Sequence, residues 1–382
     1  MSDFIFKVSP NIVLGSYTLS RLGHFVKKWG TRFIVVIDPV LTEFGITEKI
    51  TSSFQERNVD YFVYDEIPPA SDTTIIQQVN KIAKDAHVHG IISVGGTKTA
   101  NIARAVAALF HEEHDIYDYL EGQQPTSASL PLICIPTTFC DAFLFCDQTP
   151  VIDARSRVTK LLKMQPGVCK LTAFDPTLTV SLTENQHSAM TLHLLCTAIE
   201  AYTSQKANFF SDGIIEKACS LLKFLPDDNL PDANTPSAGL LSAQASCMIA
   251  LGAATSSVGI GSIINLAVNA RHKISRSLVS AILLPYIIEE VSAYKTERLA
   301  NISRLLHVAT AEASDEDAVN SLCESVRNKI AIAHLPARLK DLSLSPEELA
   351  LCAEDAGQLD YAHTLPRSMT ADDLFSVIQK AF

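Results

Sequence analysis

Through the first half of the chain the apolar residues gather in short unbroken runs: Arg32-Phe33-Ile34-Val35-Val36-Ile37, Tyr61-Phe62-Val63-Tyr64, Ile91-Ile92-Ser93-Val94 and Leu130 to Ile135. Such runs, rich in β-branched residues and too short for a helix, are expected of strands covered on both faces. Between them the spacing turns helical, over Ile46 to Arg57, over Thr73 to Ala86, and again over Ala100, Ile102, Ala103, Ala105, Val106 and Leu109. Alternating strands and helices predict a parallel sheet with ligands at the carboxyl ends of its strands. From about Glu184 the runs stop and long helical periods take over. They span Glu184 to Tyr202, Asp212 to Leu225, Ala238 to Ala253, Ile260 to Ala270, Ser277 to Lys295, Glu297 to Ala309, Asp315 to Ile332, Pro346 to Ala356 and Thr370 to Ala381. The pattern predicts an α/β domain over residues 1–182 and an all-helical domain over residues 183–382.

The stretch from Gly90 to Phe110 concentrates the chemistry of the first half. A buried strand runs into Gly95-Gly96, which lack Cβ atoms and let a backbone turn sharply beside a ligand. Thr97 is placed to cap the following helix. A helix N-terminus behind such a turn offers free N–H groups and a positive dipole end, which suit a phosphate, and Lys98 and Arg104 add charge. The alternative is a plain strand-to-helix turn that binds nothing. Asp38, at the end of its strand, is placed either to accept hydrogen bonds from ribose hydroxyls or simply to close a turn.

Composition narrows the classes. Of 382 residues, 47% are hydrophobic and 19% charged, enough to bury a large core. A net charge of −11 argues against nucleic acid as the main partner. The nine cysteines are scattered, without a CxxC pair, which fits reduced thiols in a cytoplasmic protein. The opening MSDFIFKVSP does not read as a signal peptide. No charge occurs between Asp232 and Arg271, and Cys247 to Val268 is long enough to cross a bilayer. Its polar and glycine residues near Thr255–Gly261 instead predict two buried helices with a break, and no membrane partner. Beyond the break, Asn265, Asn269, His272 and Arg276 recur at spacings of four, three and four, forming one polar stripe if the helix extends that far. Such a stripe serves either a ligand or hydrogen bonds between helices.

Seven further pieces occur in a telling order. Gly95-Gly96-Thr97-Lys98-Thr99-Ala100-Asn101-Ile102-Ala103-Arg104 is followed by Ile116-Tyr117-Asp118-Tyr119-Leu120-Glu121-Gly122 and by Ile135-Pro136-Thr137-Thr138. Then come Asp175-Pro176-Thr177-Leu178-Thr179, Ala198-Ile199-Glu200-Ala201-Tyr202, Ala281-Ile282-Leu283-Leu284-Pro285, and Pro366-Arg367 before Thr370-Ala371-Asp372-Asp373. Taken together, the chain resembles iron-type alcohol dehydrogenases and their glycerol dehydrogenase relatives over nearly its whole length. The resemblance implies the dehydroquinate synthase-like fold, a nucleotide-binding α/β domain followed by a helical one, with the site in the cleft between them. It implies NAD or NADP as cofactor, with Asp38, Gly95, Gly96, Thr97, Lys98, Thr137, Thr138, Lys160 and Leu178 at positions compatible with cofactor contact. It also implies a homodimer or larger homo-oligomer.

The departures from that family are as informative. Its divalent metal is held by an Asp and a His one turn apart and by two later His. Those positions here are His193, Thr197, Ser262 and Arg276, and a further site His falls on Leu266. Thr and Ser are poor neutral ligands, and Arg stays protonated, so the set argues against a divalent metal. Arg276 is then expected to stabilise an alkoxide or anchor an anionic substrate, with His193 exchanging protons from an unperturbed pKa of about 6.5. Thr197, Ser262, Asn265, Leu266 and His272 are the candidate substrate contacts. In the cofactor loop, Thr97 replaces a third glycine, and Phe139-Cys140-Asp141-Ala142-Phe143-Leu144-Phe145-Cys146 replaces a small glycine-containing segment. The three phenylalanines either close that space or stack on a ring. The resulting expectation is an NAD(P)-dependent oxidoreductase acting on a small alcohol or carbonyl compound without a catalytic metal. The alternatives are a non-catalytic family member binding a nucleotide or a protein, and a metal enzyme using His193 with His272 or His363.

Overall fold

The structure is a computed structural model that describes residues 10–69, 71–222 and 237–382. The chain divides into two compact units, Met1–Ser181 and Leu182–Phe382. The opening nonapeptide, Ala70 and the end of the helix expected to reach Leu225 lie outside the described residues.

The first unit runs β1 (Asn11–Leu14), α1 (Leu22–Val26), β2 (Arg32–Ile37), α2 (Ile46–Gln55), β3 (Asp60–Tyr64), α3 (Thr73–Asp85), β4 (Gly90–Gly95), α4 (Thr97–Leu109), α5 (Ile116–Leu120), β5 (Leu132–Pro136), β6 (Gln148–Asp153), β7 (Val158–Lys163) and β8 (Cys169–Phe174). Six strands form one parallel sheet in the order β1-β8-β5-β4-β2-β3, and β6 and β7 form a separate antiparallel pair. Phe33, Val35, Ile37, Ile92, Val94, Ile133 and Ile135 come from the central strands into one apolar core. Register brings the carboxyl ends of three neighbouring strands level. Ile37 lies opposite Val94 and Val94 opposite Ile135, so Asp38, the glycine turn and Thr137 stand side by side. The amide of Asp38 donates to the Val94 carbonyl at 3.0 Å, and that of Thr137 to the Gly95 carbonyl at 3.0 Å.

The second unit contains helices only among its described residues: α6 (Glu184–Thr203), α7 (Phe209–Leu221), α8 (Ala238–Thr255), α9 (Ile260–His272), α10 (Arg276–Leu305), α11 (Asp315–Ile332), α12 (Pro346–Gly357) and α13 (Ala371–Lys380), with short 3-10 turns. The break expected near Thr255–Gly261 separates α8 from α9. By length and composition α8 and α10 are apolar enough to cross a membrane, but half or more of each such window is buried inside the fold. The two helices expected over Ser277–Lys295 and Glu297–Ala309 join as α10, whose backbone leaves the helical region at Lys295. The polar stripe is cut short. The chain enters the left-handed region at Lys273, which closes α9, and Asn269 donates to the Ile274 carbonyl at 2.8 Å. Arg276 therefore begins the next helix instead of completing the stripe.

Candidate functional site

The glycine turn of the first unit is shaped by close approaches. Gly95 has φ +151°, and a Cβ there would lie 2.6 Å from Thr99 Oγ1 and 3.1 Å from Asp38 Cβ. A Cβ on Gly96 would lie 3.2 Å from Thr138 Cγ2. Gly96, not Thr97, is the N-cap of α4, so the cap expected of Thr97 is absent and Thr97 is the first helical residue. No side chain caps the helix, and its first-turn N–H groups face the turn. Thr99 Oγ1 is buried there without a hydrogen-bond partner. An uncapped N-terminus beside tight glycines fits the phosphates of a dinucleotide. Asp38 is half-buried, and its carboxylate accepts from the Val40 amide at 3.4 Å. Thr97 and Lys98 are half-buried at the start of α4, and Thr137 is buried beside them.

Two of the expected cofactor contacts are engaged differently. Lys160 Nζ, on β7, lies 3.7 Å from the Asp153 carboxylate. Leu178 is 1% exposed in the core with Leu171 and Ala173, so its side chain packs inside the unit.

The unusual loop after Thr138 is likewise folded inward. Phe139, Phe143 and Phe145 are all buried. Cys140 is buried as well, and burial pushes the Cys146 thiol up to about 12, which leaves it protonated and slow as a nucleophile. Asp141 is bidentate to Arg104 of α4, at 2.5 and 3.4 Å, with Arg104 1% exposed. Burial opposes the guanidinium charge, and Asp141 outweighs it, so the Arg104 pKa is raised. Asn101 Oδ1 accepts from Arg104 at 3.2 Å and from Thr149 Oγ1 of β6 at 3.1 Å.

In the second unit the structure brings His193, Asn265, Ser277 and Ser280 together from α6, α9 and α10. His193 Nδ1 is 3.2 Å from Ser277 Oγ, and Asn265 Nδ2 is 3.5 Å from His193 Nε2 and 2.7 Å from Ser280 Oγ. An amide N–H donating to Nε2 fixes the tautomer with its proton on Nδ1. Burial first, and the Arg276 charge second, bring the His193 pKa down to about 3. The imidazole is therefore neutral and occupied on both nitrogens, which corrects the expectation of a proton exchanger near 6.5. Thr197 Oγ1 donates back to the His193 carbonyl at 3.1 Å. Ser262 Oγ donates to Glu200 at 2.5 Å, and Leu266 is buried. His272 turns toward α12, its Nδ1 3.9 Å from Glu348. Glu200, Ser277, Ser280 and Asp141 were not foreseen as site residues. Glu200 alone carried a signal, as an acid standing in the apolar second half of α6, whose other acid, Glu184, lies in the first turn.

Two family models account for almost the entire chain: iron-containing alcohol dehydrogenase over residues 9–176, and the Fe-containing alcohol dehydrogenase family, C-terminal, over residues 188–382. The chain belongs to the iron-containing alcohol dehydrogenase family. It is 24% identical to alcohol dehydrogenase 4 of Saccharomyces cerevisiae over 99% of this chain and 98% of that one. It is 21% identical to an NAD-dependent methanol dehydrogenase of Bacillus methanolicus over 98% and 99%. Its fold matches a 1,3-propanediol oxidoreductase with a TM-score of 0.90 and 20% identity, both chains covered in full.

For an iron-containing alcohol dehydrogenase, the second unit is chemically odd. Thr197 and Ser262 spend their hydroxyl protons on protein acceptors, His193 is engaged on both nitrogens, and Arg276 is a permanent cation. As arranged, these four side chains do not fit a divalent ion. Among the described residues no group of three or more His, Cys, Asp or Glu is placed to hold one.

Proposed function

We propose that this iron-containing alcohol dehydrogenase family member interconverts a small alcohol and its carbonyl compound with NAD(P), without a catalytic metal. The observation that carries the reading is the uncapped N-terminus of α4 behind Gly95-Gly96, level with Asp38 and Thr137. A bound nicotinamide supplies or accepts the hydride. The α4 amides and Lys98 would hold the pyrophosphate, and Asp38 would accept from ribose hydroxyls, which favours NAD over NADP. In the second unit Arg276 opens α10 and supplies the positive charge that an alkoxide needs, and it suits a substrate bearing a carboxylate or similar anion. Neutral His193 supports that helix start by bonding Ser277, the residue after Arg276. We place the protein in the cytoplasm as a homodimer or larger assembly, independent of nucleic acid and membrane.

One observation favours a second reading, a non-catalytic member that binds a nucleotide or a protein. Both nitrogens of His193 are taken up by protein groups. A fluorescence titration of NADH and NADPH into chelator-treated protein separates the two, followed by turnover assays on aldehydes, ketones and keto acids with and without added metal. Saturable binding with metal-free turnover supports the oxidoreductase. Binding without turnover supports the second reading, and no binding of either nucleotide overturns the first.

A further inference from the structure

Thr137 and Thr138 are held against the glycine turn from two sides. On one side the Thr137 amide bonds the Gly95 carbonyl, and the Thr138 methyl stands where Gly96 leaves room for it. On the other side the chain continues through Phe139 and Cys140 to Asp141, which is anchored to α4 by Arg104. Asp141 also folds its own loop, accepting from the Phe143 amide at 3.1 Å, and its carbonyl accepts from Leu144 at 3.2 Å. Arg104 is in turn oriented by Asn101, which Thr149 holds from β6. The result is a closed circuit: glycine turn, α4, Arg104, Asp141, the loop, Thr138, and back to the turn.

We infer that Arg104 and Asp141 are positioning residues for the dinucleotide, fixing Thr137 and Thr138 at the rim of the α4 N-terminus. The inference rests on the cofactor reading above. The side-chain hydrogen bonds of both residues go to Asn101, to each other and to the loop, and none goes to the turn. Their effect passes to Thr138 through Phe139 and Cys140, both buried, so a displaced Asp141 would have to repack them. A buried guanidinium left without its carboxylate is costly, whereas replacing both partners by apolar groups of similar volume is often tolerated.

The test therefore uses the paired variant Arg104→Met with Asp141→Leu, and separately the conservative Arg104→Lys, each compared with wild type for NADH binding and for amide hydrogen exchange at Thr137. In the pair, the dissociation constant for NADH is expected to rise about tenfold or more, and Thr137 exchange to accelerate while α6 amides stay protected. Arg104→Lys keeps the charge but loses the fork, so it should recover part of both effects. If the pair does not fold, the lysine variant carries the test alone, through a measurable loss in both readouts. Wild-type NADH affinity together with wild-type Thr137 exchange in a folded variant overturns the inference. Wild-type protein that binds no NADH overturns the cofactor reading instead, and Thr137 exchange still decides whether the pair holds the loop.

Discussion

Ser262 Oγ lies 2.5 Å from one oxygen of Glu200, while the Ser262 amide reaches the other oxygen at 2.9 Å. The Gly259 amide joins them at 2.9 Å. Gly259 is the N-cap of α9 and has no side chain of its own to offer, so a carboxylate from α6 caps α9 across the helix interface. Gly259 and Gly261 leave space for it, since a Cβ on either would lie 2.7 Å or 3.1 Å from a Glu200 side-chain atom. Glu200→Ala should strand these three buried donors at the start of α9, besides the Cys196 thiol, and cost about 3 kcal/mol in urea unfolding. Glu200→Gln should cost less. Equal unfolding midpoints for wild type and the alanine variant would show the cap to be dispensable.

The neutral state of His193 makes stability depend on pH. Its pKa is about 3 in the fold and near the ordinary 6.5 when unfolded. Between those values the unfolded chain binds the additional proton, so folding weakens as the pH falls from 7 toward 3. By pH 4 this one group should cost about 3 kcal/mol. His193→Gln should flatten the acid limb of a stability profile by that amount, and an unchanged slope would refute the assignment.

Arg276→Ala should lower metal-free turnover by about a hundredfold, with NADH affinity changed by no more than about twofold. Chelators should leave wild-type turnover and thermal unfolding unchanged, and elemental analysis should find far less than one ion per chain. Near-stoichiometric metal, or turnover that survives Arg276→Ala, would count against the proposed role of the guanidinium.

If Asp38 reads the ribose as proposed, it also sets the cofactor preference. A carboxylate at the end of β2 accepts from a ribose 2′-hydroxyl and repels a 2′-phosphate. Asp38→Gly should shift the ratio of NADPH to NADH affinity upward by about tenfold or more. An unchanged ratio in paired titrations would remove Asp38 from ribose recognition.

β2, β4 and β5 were legible because they are apolar runs covered on both faces. β3 was legible from its Tyr-Phe-Val-Tyr run alone, for it is the edge strand and Phe62 and Val63 are exposed, against the expectation of two covered faces. β6 and β7 were not, because Thr, Gln and Lys interrupt them and the pair stands apart from the main sheet. β1 was missed for a different reason: it is four residues long and only partly covered. The glycine turn was readable as a local motif. Its partners were not, since Arg104 meets Asp141 across 37 positions and His193 meets Ser277 across 84. The reach of α9 was overestimated because a spacing that continues through Lys273 cannot reveal that the backbone turns there.

The Arg104–Asp141 pair has a historical consequence. A lineage that acquired a buried guanidinium and a buried carboxylate cannot surrender either one alone without passing through a chain with a stranded charge in its interior. Reversion to a lysine on α4 with a glycine-rich loop must therefore change both positions nearly together, or first open a water-filled path to one of them. The ion pair is expected to act as an epistatic lock. Other iron-containing alcohol dehydrogenases with this arginine should carry the acid too, and sequences holding just one of the two should be rare.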